Sequence, residues 1–401
     1  MDASATGSPL IDRYLELGLR LGRHVDGFVD AYYGPSSIRD RVEAEPVQSP
    51  GALAATASQL LAQLDSGVDA DILDPSRRSW IRAQAVGFRT SARKLSGETI
   101  SYVDEVESCY GVRPTFRDES LFAGAHERLD AVLPGSGPIR DRIITWRERQ
   151  AIPVDRLPAV LRSIAEEFRE RTDRLFGLPE GEHVEWELAT NQPWSGFNYY
   201  EGQLRSRVAI NTDLPVLATS IGHLVAHEAY PGHHTEHSRK EVGLVRQRGW
   251  VEESLFCVGT PQCLIAEGLA DLALEIVAGE NPEIVVGEHL RRNGIDFDPE
   301  VAHSVRVASE SMDAVRSNAA WLLHEDGAEI DDVVEYLERW GLLPRQRAEK
   351  AVEFLTSPTW RAYISCYVEG LPLCRAWVDG DVTRFSRLLS EQLTPADLAA
   401  S

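Results

Sequence analysis

Apolar residues recur at helical spacing along most of the chain. From Pro9 to Tyr33 the positions Leu10, Tyr14, Leu17, Leu21, Val25 and Phe28 form one stripe, which predicts a helix with Pro9 in its first turn and Gly34-Pro35 at its end. Similar stripes around residues 52–64, 75–95, 118–132, 138–149 and 156–175 predict further helices, divided by Pro, Gly, Asp and Ser. The period changes after Gly177-Leu178-Pro179-Glu180-Gly181. Val184 to Leu188, Phe197 to Tyr200 and Leu204 to Ile210 alternate and are rich in aromatic and branched residues, so they read as strands, the last two joined at Glu201-Gly202 as a hairpin. Helical spacing then returns. A helix opened by Asp213-Leu214-Pro215 runs through Leu217, Ile221 and Leu224 to His227, another runs from Pro261 to near Ala278, and more follow around residues 300–323, 328–340, 345–355 and 360–377. The pattern predicts a mainly α protein with a small β element, and a soft boundary between an N-terminal helical region, 1–180, and a second region, 181–401.

Composition narrows the classes of function. The 401 residues are 43% hydrophobic and 26% charged, which fits a folded protein with an ample core. A formal net charge of -22 repels phosphate backbones and anionic membrane surfaces, so neither nucleic acid nor membrane is expected as a partner. Met1 to Pro9 lacks a basic segment followed by an apolar one, and no apolar run is long enough to span a bilayer, so the expected location is the cytoplasm. Cys109, Cys257, Cys263, Cys366 and Cys374 contain no CxxC pair, which points away from a disulfide framework or a cysteine zinc site.

The candidate chemistry lies in Ala226-His227-Glu228-Ala229-Tyr230-Pro231-Gly232-His233-His234, followed by Thr235-Glu236-His237. Imidazole nitrogens beside carboxylates suit zinc. In a regular HExxH helix two histidines at i and i+4 share a face and the Glu beside the first polarises the metal's water, but here Pro231 takes the second position. Pro231 cannot donate to the carbonyl of His227, and Gly232 tolerates a local bulge, so an insertion of two residues brings His233 into the ligand position. His234 remains as a substitute. Two rivals share the stretch: His233 and His237 with Glu236 as base, in the inverted HxxEH pattern, and His223 with His227.

The stretch resembles the HExxPGHH signature of a bacterial family known as domain of unknown function 885, whose fold is similar to that of HExxH thermostable metallocarboxypeptidases of the gluzincin-like clan. Glu267-Gly268-Leu269-Ala270-Asp271-Leu272-Ala273-Leu274-Glu275 resembles the family's EGWAxYxE element, with Leu269 for Trp, Leu272 for Tyr and the closing Glu one place late. Arg316 to His324 resembles its Arg-rich helix ending in DTGxH, keeping only the Arg and the His, and Tyr367-Val368-Glu369-Gly370 resembles its YxxG element. The resemblance implies a multi-helical zincin-like metallopeptidase fold with a small sheet beside the cleft. It also implies one zinc ion held by His227, His233 and Glu267.

On this reading Glu228 is the general base. Asp271 and Glu275, one and two turns beyond Glu267, are placed to orient a ligand histidine. Tyr367 and His324 are candidates for the oxyanion donor, with Tyr363 one turn before Tyr367 as its substitute in the substrate cleft. Arg316 and Arg375 are candidates for clamping a substrate carboxylate. The segment from Trp194 to Thr212 offers an edge strand for an extended peptide. The expected activity is a zinc-dependent hydrolase, a carboxypeptidase-like metallopeptidase acting on a peptide; a small amide substrate and a catalytically silent metal-binding protein are the alternatives.

Overall fold

The computed structural model describes residues 4–67, 72–192, 194–357 and 360–400. The chain opens with α1 (Pro9–Gly22), β1 (Val29–Tyr32), α2 (Ser36–Ala44), α3 (Pro50–Ser66), α4 (Pro75–Leu95), α5 (Tyr102–Tyr110), α6 (Ser120–Val132), α7 (Ile139–Arg149) and α8 (Leu157–Phe176). Then come β2 (His183–Ala189), β3 (Gly196–Gly202), β4 (Arg205–Asn211), α9 (Ile221–Glu228), α10 (His233–Lys240), β5 (Leu255–Cys257) and α11 (Pro261–Ala278). The helices α12 (Pro282–Arg292), α13 (Pro299–Ser309), α14 (Val315–His324), α15 (Ile330–Trp340), α16 (Arg345–Thr356), α17 (Ile364–Val378), α18 (Val382–Leu388) and α19 (Pro395–Ala399) complete it. The protein is mainly α with two small sheets.

Local chemistry sets many of the boundaries. Ser8, Ser49, Asp74 and Asp298 each accept a backbone N–H at a helix start that has Pro in its first turn. The helix expected over 9–33 stops instead at Gly22, and residues 29–32 form β1, paired antiparallel with β5. Any side chain at Gly22 would meet Val29 Cγ2 at 2.8 Å, and Gly27 holds φ at +77°, so the chain folds back on the end of α1. Val25 and Phe28 follow the helical period without being in the helix. The helix expected from Asp213 also starts late, at Ile221. In the three-stranded sheet, ordered β2-β4-β3, β2 and β4 are parallel while β3 and β4 form the expected hairpin. Its turn falls on Gln203 and Leu204, with φ of 53° and 63°, just beyond the Glu201-Gly202 position the sequence indicates.

Two cores lie under these elements. One gathers Leu10, Leu17, Leu60, Trp80 and Phe88 with Leu255 and Cys257; the larger one holds α5 to α19 and surrounds α11. Helices α11 and α17 meet backbone to backbone: a Cβ on Gly268 would lie 2.4 Å from the carbonyl oxygen of Gly370, and one on Gly370 would lie 2.7 Å from that of Leu264. The two motif glycines therefore face each other, and their lack of side chains sets how closely Glu267 and Tyr367 approach. No described helix is long and apolar enough to cross a membrane.

Candidate metal centre

The HExxPGHH stretch is not one helix with a bulge. It is two helices. α9 ends at Glu228, the Tyr230–Pro231 peptide is cis, and α10 begins at His233. Gly232 makes the junction possible, because a Cβ there would lie 1.9 Å from the His227 carbonyl oxygen and 2.4 Å from that of Ala226. Its N–H donates to the Ala226 carbonyl at 2.8 Å, and the Asn198 side-chain amide donates to the Glu228 carbonyl at 2.6 Å, which ties β3 to the end of α9.

The junction sets His233 Nε2 at 3.2 Å from His227 Nε2. Glu267, on α11, places Oε2 3.4 Å from His227 Nε2 and Oε1 3.4 Å from His233 Nε2. Donors about 2.0–2.1 Å from a tetrahedrally held ion stand about 3.3–3.4 Å from one another, so these three residues fit a single zinc. Glu267 Oε2 is buried without a hydrogen bond among the described residues, an acceptor that a cation would satisfy. Oε1 accepts from the Tyr363 hydroxyl at 2.7 Å, and His227 Nδ1 lies 3.0 Å from Asp271 Oδ1. That second contact leaves the His227 Nε2 lone pair facing the other donors. With Asp271→Asn, zinc affinity measured by competition with a chromogenic chelator is expected to fall about 10–100-fold.

The electrostatics favour positive charge. Burial would lower the His227 imidazole, but the neighbouring carboxylates of Asp271 and Glu267 raise it well above its ordinary range, and Glu267 raises His233 against the same burial. Burial would raise Glu267, and the two imidazoles outweigh it and hold the carboxyl low. Glu228 goes the other way: burial pushes it up, against the pull of His227 and His233.

The remaining histidines divide clearly. His223 Nε2 lies 3.2 Å from Asp271, so His223, His227 and Asp271 form a second group of possible ligands that overlaps the first only at His227. His234 is held in the core between the Ser206 hydroxyl and Glu182 Oε2, each at 2.8 Å. The inverted motif does not assemble: Glu236 is paired with Lys240 at 2.8 Å, and His237 stacks on Tyr200 with ring centroids 4.8 Å apart. Burial holds the His237 imidazole well below its ordinary value. It stays neutral when folded and takes a proton when unfolded once the pH drops below about 6.5. Stability therefore falls as pH falls from there. In His237→Phe the loss of stability between pH 7 and pH 5, read by urea denaturation, is expected to be shallower.

Other predicted residues are scattered. Tyr367 is 36% exposed, with its ring 5.4 Å from that of Tyr363, and desolvation of its hydroxyl, followed by the charges of Glu267 and Asp271, raises that hydroxyl above the ordinary tyrosine value. Tyr363 itself is buried and spent on Glu267. His324 is not brought to the cluster: its Nε2 meets the Leu355 carbonyl at 2.8 Å and its ring packs on Tyr102. Arg375 is bound to Glu275 and to Glu310, so neither it nor Glu275 faces the metal ligands. Arg316 is exposed on α14, without a hydrogen bond or ion pair among the described residues. Sequence reasoning missed Asn198, which stands in an alternating strand.

No protein-family model matches the chain, and no curated protein matches it. Solved structures do. A lipoprotein candidate from Colwellia psychrerythraea superposes with a TM-score of 0.53 at 13% identity, over 91% of this chain and 68% of its own. Pyrococcus furiosus carboxypeptidase in an apo-Mg form gives 0.45 at 13% identity, over 98% of this chain and 90% of that one. Trypanosoma cruzi metallocarboxypeptidase 1 gives 0.39 at 12% identity, over 97% and 88%. The likeness to the Colwellia protein places this chain among multi-helical folds of the same architecture.

Proposed function

We propose that the protein is a zinc-dependent hydrolase of the metallopeptidase kind, acting near the carboxyl end of a peptide. The observation that carries this reading is the convergence of His227 Nε2, His233 Nε2 and the unsatisfied Glu267 Oε2 beside the buried carboxyl of Glu228. Zinc bound there would supply a Lewis acid and a water of lowered pKa. Glu228, raised by burial, is basic enough to take the proton from the attacking water and pass it to the leaving nitrogen. Tyr367, kept protonated, can donate to the oxygen that gains charge on the scissile carbonyl. The start of β3 reaches Glu228, since a Cβ on Gly196 would lie 3.2 Å from Glu228 Oε1, and β3 is an edge strand along which an extended substrate can pair.

The preference for a carboxyl end rests on arginines. Arg147 on α7, Arg316 on α14 and Arg347 on α16 lack hydrogen-bonded or ion-paired partners among the described residues, and Arg147 is lowered by burial and then by the charges of Arg347 and Arg316. The charges of Arg316, Asp271 and His223 all act on Asp313, which supports a position for Arg316 toward the Asp271 side of the centre. Guanidinium groups without a hydrogen-bonded or ion-paired acid among the described residues, in a protein of net charge -22, suit a carboxylate that arrives with the substrate. The test is zinc content and hydrolysis of a mixed peptide library, with products read by mass spectrometry. One zinc per chain and chelator-reversible release of C-terminal residues are expected. Bound zinc without turnover would leave a silent metal protein.

A further inference from the structure

Asp271 stands between two imidazoles, and only one of them belongs to the proposed centre. His223 and His227 are one turn apart on α9 and share a face, with ring centroids 5.4 Å apart. Asp271, one turn beyond Glu267 on α11, places the same oxygen, Oδ1, 3.0 Å from His227 Nδ1 and 3.2 Å from His223 Nε2. Each of the three residues offers a donor atom, and these atoms all lie within 4.8 Å of one another. Among the described residues no Lys or Arg pairs with the Asp271 carboxylate, and His223 has no hydrogen-bond or ion-pair partner besides it.

The two sides of His227 differ in access. The Glu267 side chain is 6% exposed, whereas that of His223 is 45% exposed. An ion can therefore reach His223 from solvent with the first centre already filled, and keep water as its remaining ligands. Imidazole beside carboxylate is a donor pair that suits zinc. What such an ion would take is an oxygen already in use. Asp271 Oδ1 is the acceptor that turns His227 Nε2 toward His233 and Glu267, and binding a cation draws it from that contact.

We propose that His223 and Asp271 form a second, outer zinc site facing His227 Nδ1, and that an ion held there slows hydrolysis by taking Asp271 from the ligand histidine. The inhibitory half rests on the hydrolase reading and gives it a regulation, activation by the first zinc and restraint by the second. His227, which keeps the proton on Nδ1 while Nε2 serves the first ion, leaves the outer ion two protein donors against three for the inner one. The outer site therefore fills at higher free zinc.

The test is equilibrium dialysis of the full-length protein against zinc set by chelator buffers, with peptide turnover read on the same samples. The parent is expected to hold one zinc at low free zinc and two at high. Turnover should fall about 10–100-fold as the second fills, the usual effect of removing the group behind a ligand histidine. His223→Gln can still hydrogen bond to Asp271 but is a poor zinc ligand. It should stop at one zinc and keep its low-zinc turnover at every concentration; the one tight ion also reports that the variant is folded. A parent that stops at one zinc, a second zinc that survives in His223→Gln, or a second zinc that leaves turnover unchanged overturns the proposal. Failure of the hydrolase reading shows separately, as parent protein with one zinc and no peptide turnover. The inhibitory half then falls with it, and the two stoichiometries still decide the outer site.

Discussion

Glu228→Gln is expected to fold, to bind one zinc, and to hydrolyse peptides about 10²–10⁴-fold more slowly than the parent, with most of the loss in kcat. The substitution keeps the shape of the side chain. It also spares the Asn198 hydrogen bond, which is made to the Glu228 backbone carbonyl, and leaves His227, His233 and Glu267 untouched. What disappears is an acceptor for the proton of water, so stopped-flow turnover and zinc content measured on the same preparation separate the base from the ligands. Parent-like turnover in Glu228→Gln would refute the assignment. A loss of zinc together with activity would show Glu228 holding the site rather than acting in it.

The second large effect is expected from a residue that touches no substrate. Gly232→Ala forces a methyl group into the carbonyls of His227 and Ala226, at 1.9 and 2.4 Å, and both obstacles are backbone in the last turn of α9. They cannot yield without moving His227. Zinc stoichiometry should fall from one to near zero, with a stability cost of about 3–4 kcal/mol, large for a single substitution. Equilibrium dialysis and chemical denaturation measure the two. A Gly232→Ala protein with full zinc and the parent's denaturation midpoint would mean that the α9–α10 junction does not position His233.

The sequence made the site easier to read than the path of the chain around it. Residues that carry chemistry are rare types at short spacing, and His227, Glu228 and His233 announce themselves; Pro231 at the expected ligand position indicates an insertion. It does not indicate that the helix stops and restarts, because the closing of α9 depends on where Gly232 meets the carbonyls behind it, a contact made only in three dimensions. Glu267 required the resemblance, being 40 residues from His227 on a helix whose packing alone brings it back. His324 shows the opposite failing: a histidine in a motif-like place that hydrogen bonds to a carbonyl instead. β1 was hidden because Val25 and Phe28 continue the spacing of α1 although the chain has already turned.

The hydroxyl of Tyr363 fixes Glu267 across 96 residues of chain. This has a consequence for synthesis. A growing chain displays both histidines and Glu267 well before α17 exists, yet the carboxylate is not held until that helix emerges and packs Gly370 against Gly268. Long-range closures of this kind form late. The His227–His233–Glu267 cluster therefore gains its last support only once α17 has been made, and a chain interrupted before that helix lacks the hydroxyl that holds Glu267.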